Sequence, residues 1–158
     1  MKIKYLFPNK YKSIGWVILI PSLVLGLIIT MFNIEPEFFD WRVPTIFIDE
    51  FMGEKKLLAM TDNNVLNELV GVLIIMSGLL VAFSKEKIED EYIGKTRLES
   101  LVWATYLNYG ILLIALLFVY DMAFFWVMIF NMFTLLLFFI VRFNYLIFKL
   151  NKTTSHEE

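Results

Sequence analysis

Glu86, Glu89 and Asp90 stand at i, i+3 and i+4, a spacing that gathers carboxylates on one face of a helix. In helical bundles such carboxylates hold paired metal ions when Glu-x-x-His motifs complete the ligand set. Here the only histidine is His156, in the polar tail, and there is no cysteine. No metal site, cofactor site or catalytic histidine is expected, nor any disulfide or thiolate nucleophile. Ser84 and Lys85 are adjacent, and adjacent residues on a helix point apart, so they form no dyad. No glycine-rich phosphate loop occurs. Residues 85–100 hold four basic residues (Lys85, Lys87, Lys95, Arg97) against five acidic ones (Glu86, Glu89, Asp90, Glu91, Glu99), too balanced for nucleic acid. What remains is a charged surface. Glu86, Glu89, Asp90, Glu91 and Arg97 are the expected contacts for a cytoplasmic protein partner. Arg97 is expected to pair with Glu89, Asp90 or Glu91, a contact worth only about 0–1 kcal/mol if exposed.

A second set lies in apolar surroundings: Glu99, Tyr106, Asn108, Thr134 and Arg142. Buried polar side chains in lipid must find partners. Counting outward from a short turn at Tyr120-Asp121-Met122 sets Asn108 level with Thr134, and Arg142 level with Glu99 and Ser100. Arg142 is shallow enough to snorkel. This polar cluster is where a small transporter or channel subunit, acting as an oligomer, would bind its cargo. The centres of the spans are otherwise aliphatic or aromatic, which favours a non-enzymatic regulatory or scaffold protein over transport.

The elements that position these residues are read from hydropathy. The chain has 158 residues, 59% hydrophobic and 17% aromatic, with 19% charged. A membrane span needs about 20 mostly apolar residues. Four stretches qualify, at 14–33, 65–84, 101–120 and 123–148. The expectation is an all-α polytopic membrane protein, a single membrane domain over 1–158 with the lipid bilayer as its first partner. A homo-oligomer is compatible with it. The first apolar run is longer than the roughly 7–15 residues of a signal peptide and lacks a small-residue cleavage site, so it reads as a retained helix. Lys and Arg number eleven on the side of the termini and the 85–100 hairpin, against three (Arg42, Lys55, Lys56) in the 34–64 segment. The positive-inside rule then places both termini and the hairpin in the cytoplasm.

Local signals add detail. Pro36 and Pro44 break the outer segment 34–64, leaving short helical pieces, one around Phe47 to Met60. Glu68 sits near a helix N-terminus, where the dipole favours it. Gly15, Ser22 and Gly26 share one face of the first span, and Gly71, Gly78 and Ala82 one face of the second. Antiparallel packing would set Gly26 against Gly71 and Gly15 against Ala82. The second helix is expected to run some two turns past Ser84, with Gly94 at the turn and Thr96 or Ser100 starting the next helix. Span four carries phenylalanine on every face, as a helix partly facing lipid would.

The runs Phe83-Ser-Lys-Glu-Lys-Ile-Glu-Asp-Glu-Tyr-Ile, Arg97-Leu-Glu-Ser-Leu-Val-Trp-Ala, and Asn131-Met-Phe-Thr to Arg142-Phe, with Asn63-Asn64 to Gly71, carry a resemblance. From about Asp49 onward the chain resembles an uncharacterised family of small four-span bacterial inner-membrane proteins. That resemblance implies the inner membrane as location and supplies no catalytic residues. Such proteins are often encoded near a small helix-turn-helix regulator, which implies a regulatory role.

Overall fold

The structure, a computed structural model, describes residues 5–49 and 55–154. The order is α1 (Lys10–Phe32), a 3₁₀ turn (Glu37–Phe39), β1 (Asp40–Asp49), β2 (Lys55–Asn64), α2 (Leu66–Ala82), α3 (Glu91–Phe118) and α4 (Asp121–Thr154). Helices α1, α3 and α4 are each long and apolar enough to cross a membrane. The chain is a helical membrane protein. Helix α2 is equally apolar but has 17 residues. At 1.5 Å per residue it spans about 26 Å, just under the roughly 30 Å hydrocarbon core.

The chain divides into two compact units, Met1–Leu19 with Ile74–Glu158, and Ile20–Leu73. In the first, the start of α1, the end of α2, and helices α3 and α4 surround a core that includes Val81, Ile93, Ala104, Phe139, Ile140 and Phe143. Gly15 lets α1 approach the α2 backbone. A Cβ there would meet the Ser77 carbonyl oxygen and the Val81 nitrogen, each at 3.0 Å. That is close to the expected Gly15–Ala82 level. Gly78 does not join this seam. It lies beneath Leu136 of α4, so the small residues of α2 serve two different neighbours. The aromatics of α4 also have an inward face. Phe83 stacks on Phe139 (centroids 5.6 Å apart) and Phe139 on Phe143 (5.8 Å). The two-residue link 119–120 leads into Asp121, whose φ of 56° starts α4 sharply.

The second unit corrects the reading of segment 34–64. It is an antiparallel hairpin, β1 paired with β2 from Asp40↔Asn64 to Asp49↔Lys55. Residues 47–49 and 55–60 of the expected helix are strand, and 50–54 lie outside the described residues. Trp41, Val43, Thr45, Phe47 and Ile48 are aromatic or β-branched, types that suit a pleated ribbon better than a helix. Pro44 is accommodated because each strand of a two-stranded sheet keeps one unpaired edge. Asn33, at φ 49°, ends α1, and the Ile34 amide donates back to the Ile29 carbonyl (3.2 Å). That is a left-handed helix stop with Asn in place of Gly. Asn64 ties the hairpin base together, donating to the Pro36 carbonyl (2.9 Å) and to Asp40 Oδ1 (2.7 Å). Asn63 donates to Glu68 Oε1 (2.9 Å), so Glu68 has a local partner beside the helix start.

Candidate functional site

The linker between α2 and α3 differs from the expected helical extension. Helix α2 stops at Ala82, and the backbone then pairs with the N-terminal segment. The Phe7 amide donates to the Phe83 carbonyl and the Lys85 amide to the Phe7 carbonyl, both at 2.9 Å. Asn9 Nδ2 adds a bond to the Lys85 carbonyl (2.6 Å). Residues 7–9 thus satisfy linker groups that further helix would otherwise have paired. Lys12 and Glu86 close the strap with an ion pair at 2.5 Å, both side chains largely buried.

Helix α3 begins earlier than expected. Asp90 is its N-cap, its carboxylate accepting from the Ile93 amide (2.8 Å). Gly94 therefore lies in the first turn of α3 and makes no turn of its own. Thr96 and Ser100 lie inside the helix, the Ser100 hydroxyl donating to the Thr96 carbonyl (2.7 Å). Glu91 is exposed in that first turn, where the helix dipole favours an acid.

The centre of the arrangement is Arg97. It is buried, not on the surface as expected. Its Nη1 donates to Glu89 Oε1 (2.6 Å) and its Nη2 to Glu89 Oε2 (3.2 Å) and the Ser84 carbonyl (3.2 Å). The guanidinium lies over the Phe143 ring, 4.9 Å from its centroid, and Lys12 approaches the same ring at 5.8 Å. Glu89 Oε2 also accepts from the Glu86 amide (2.9 Å). One carboxylate and one guanidinium thus fix both ends of the linker. Burial pushes the Glu89 carboxyl up. The hydrogen bonds from Arg97 and Glu86, with the charges of Arg97 and Lys85, outweigh it and hold the group below its ordinary value. Two large hydrophobic side chains are exposed here, Ile88 in the linker at 74% and Tyr92 in the first turn of α3 at 58%.

Of the five candidate partner contacts, Glu86, Glu89 and Arg97 are brought together by these internal bonds, and Asp90 caps α3 beside them. Glu91 stays at the surface. The exposed Ile88–Tyr92 pair was missed because the expected helix gave those residues no special presentation.

Of the intramembrane candidates, two meet. The Thr134 hydroxyl donates to Asn108 Oδ1 (2.8 Å), and Asn131 Nδ2 reaches the same oxygen at 3.3 Å. Asn108 is 3% exposed. Glu99 faces outward beside Lys95 (3.9 Å), and Tyr106 is exposed. Arg142 does not pair with Glu99 but lies over Trp103, 4.5 Å from the ring centroid. Its long stem carries the guanidinium past the level of its own Cα to an aromatic face, an attraction that level-counting omits.

No protein-family model, curated protein or solved structure matches the chain.

Proposed function

We propose that this is a four-span inner-membrane protein, with α2 as the short span and both termini and the 83–90 linker on the cytoplasmic face. It is non-catalytic and acts as a regulator or scaffold, meeting a soluble partner through that linker. The observation that carries this reading is the burial of Arg97 with its two hydrogen bonds to the Glu89 carboxylate. A linker ordered in advance loses less conformational entropy on binding. Glu86, Glu89, Asp90 and Arg97 then act by positioning, and Lys87, Ile88, Glu91 and Tyr92 make the contact. The excess of Lys and Arg at the termini and linker supports the orientation. The resemblance to small four-span inner-membrane proteins supports the regulatory role.

Transport by an oligomer is the second reading. The closure of Asn108 by Thr134 and Asn131 gives it little support, because a pathway needs polar groups open to water. A photoreactive residue placed at Ile88 in living cells tests the proposal. Crosslinks to a soluble protein that vanish in a Tyr92→Asp background are expected. Adducts with lipid alone would sink it.

A further inference from the structure

Beside the linker, within the first unit, lies a cleft of about 460 Å³. That falls in the roughly 300–1,000 Å³ range of small-molecule sites. Its walls are mostly apolar: Leu6 from the segment before α1, Phe83 just after α2, and Leu98 and Leu101 from α3, with Glu91, Lys95 and Arg97 as the charged residues of its lining. Gly94 lines it too, and a residue with no side chain keeps that part open. We propose that the cleft seats one acyl chain of a membrane phospholipid, with the lipid phosphate at Lys95.

The surroundings select that occupant. Leu98 and Val102, one helical turn apart on α3, are both exposed and apolar. They continue the cleft wall onto the face of a helix long enough to span the bilayer. An acyl chain can therefore enter from the hydrocarbon without crossing water. A soluble metabolite would leave its polar groups unpaired against Leu6, Phe83, Leu98 and Leu101. The charges at the cleft add direction. Arg97 lines it, but both terminal nitrogens are engaged by Glu89 and Ser84. Among the described residues that line the cleft, Lys95 is the cation not engaged in this way. Its ammonium is well exposed and only 3.9 Å from Glu99, a loose contact that a phosphate displaces readily. The site is independent of the soluble partner: it needs only the membrane location of α3.

The test uses the full chain in vesicles of phosphatidylethanolamine and phosphatidylglycerol. A trace of phosphatidylglycerol with a photoreactive acyl chain is added, and labelled peptides are mapped. Labelling concentrated at Leu6, Leu98 and Leu101, severalfold above that at Ile111–Phe118, is expected. Gly94→Leu fills the cleft while improving helix propensity, so it should abolish the excess without unfolding the chain. Lys95→Glu should reduce it, and inorganic phosphate should not compete. Uniform labelling along α3, or an excess that survives Gly94→Leu, overturns the proposal. So does competition by inorganic phosphate, which would mark a simple anion site. Chain-to-chain crosslinks in place of lipid adducts at Leu98 would assign the cleft to a second copy and overturn it equally.

Discussion

Arg97 grips both carboxylate oxygens of Glu89, at 2.6 and 3.2 Å, from eight residues further along the chain. The pair is asymmetric: the Arg97 side chain is 4% exposed and that of Glu89 25%. Removing either partner should therefore have different consequences. Glu89→Gln leaves a cation buried without its counter-charge, which costs about 3–5 kcal/mol. Arg97→Gln leaves a carboxylate that still reaches water and the Glu86 amide, and should cost about 1–3 kcal/mol. Thermal unfolding of the two variants in one detergent checks the order. Equal losses would mean the burial of Arg97 is not what matters.

The same pair sets a pH dependence. The Glu89 carboxyl is held below its ordinary value of 4.5, so its contribution is present above that value and lost as pH falls through its folded value. Other carboxylates titrate in the same window, so the diagnostic quantity is the gap between wild type and Glu89→Gln. That gap should be constant at neutral pH and close as the pH drops below about 4.5. A gap that widens on acidification would reverse the sign and refute the pairing.

Gly15 and Gly78 make opposite kinds of contact. A Cβ on Gly78 would come nearer to its neighbour, 2.5 Å from Leu136 Cδ2, but that is the far end of a flexible side chain. At Gly15 the obstacles include α2 backbone atoms at 3.0 Å. Gly15→Ala should therefore destabilise more than Gly78→Ala, by about 1–3 kcal/mol after overpacking strain offsets the gain in helix propensity. Melting temperatures of the two variants decide it.

Asn108 and Thr134 join α3 to α4. Polar bonds between membrane helices contribute about 0.6–2 kcal/mol. Thr134→Val should cost that much, while Asn131→Ala, which removes only the 3.3 Å contact, should cost less. A double-mutant cycle on Asn108 and Thr134 gives the coupling directly, and a value near zero would show the bond is not formed in lipid.

How far the sequence reached depended on the range of the contacts. The apolar helices were legible because composition alone marks them. The meeting of Asn108 with Thr134 followed from a tight turn and a constant rise per residue. Arg97 was correctly offered Glu89, but its burial was not visible, because that depends on Phe143 and on the Ser84 carbonyl. The end of α2 was missed for the same reason: Phe7 and Asn9 terminate it from more than seventy residues away. In the 34–64 segment, acids and prolines among the aromatics masked a β pattern, so a strand pair was taken for broken helix.

The most direct test of the account is the side of the membrane on which the clamped linker lies. The chain has no cysteine, so single-cysteine labelling has no background. With a membrane-impermeant thiol reagent, Ile46→Cys in the β hairpin should react in intact cells. Ile88→Cys should react only in inverted membrane vesicles. Labelling of both positions from the same side would contradict the four-span arrangement and the partner role built on it.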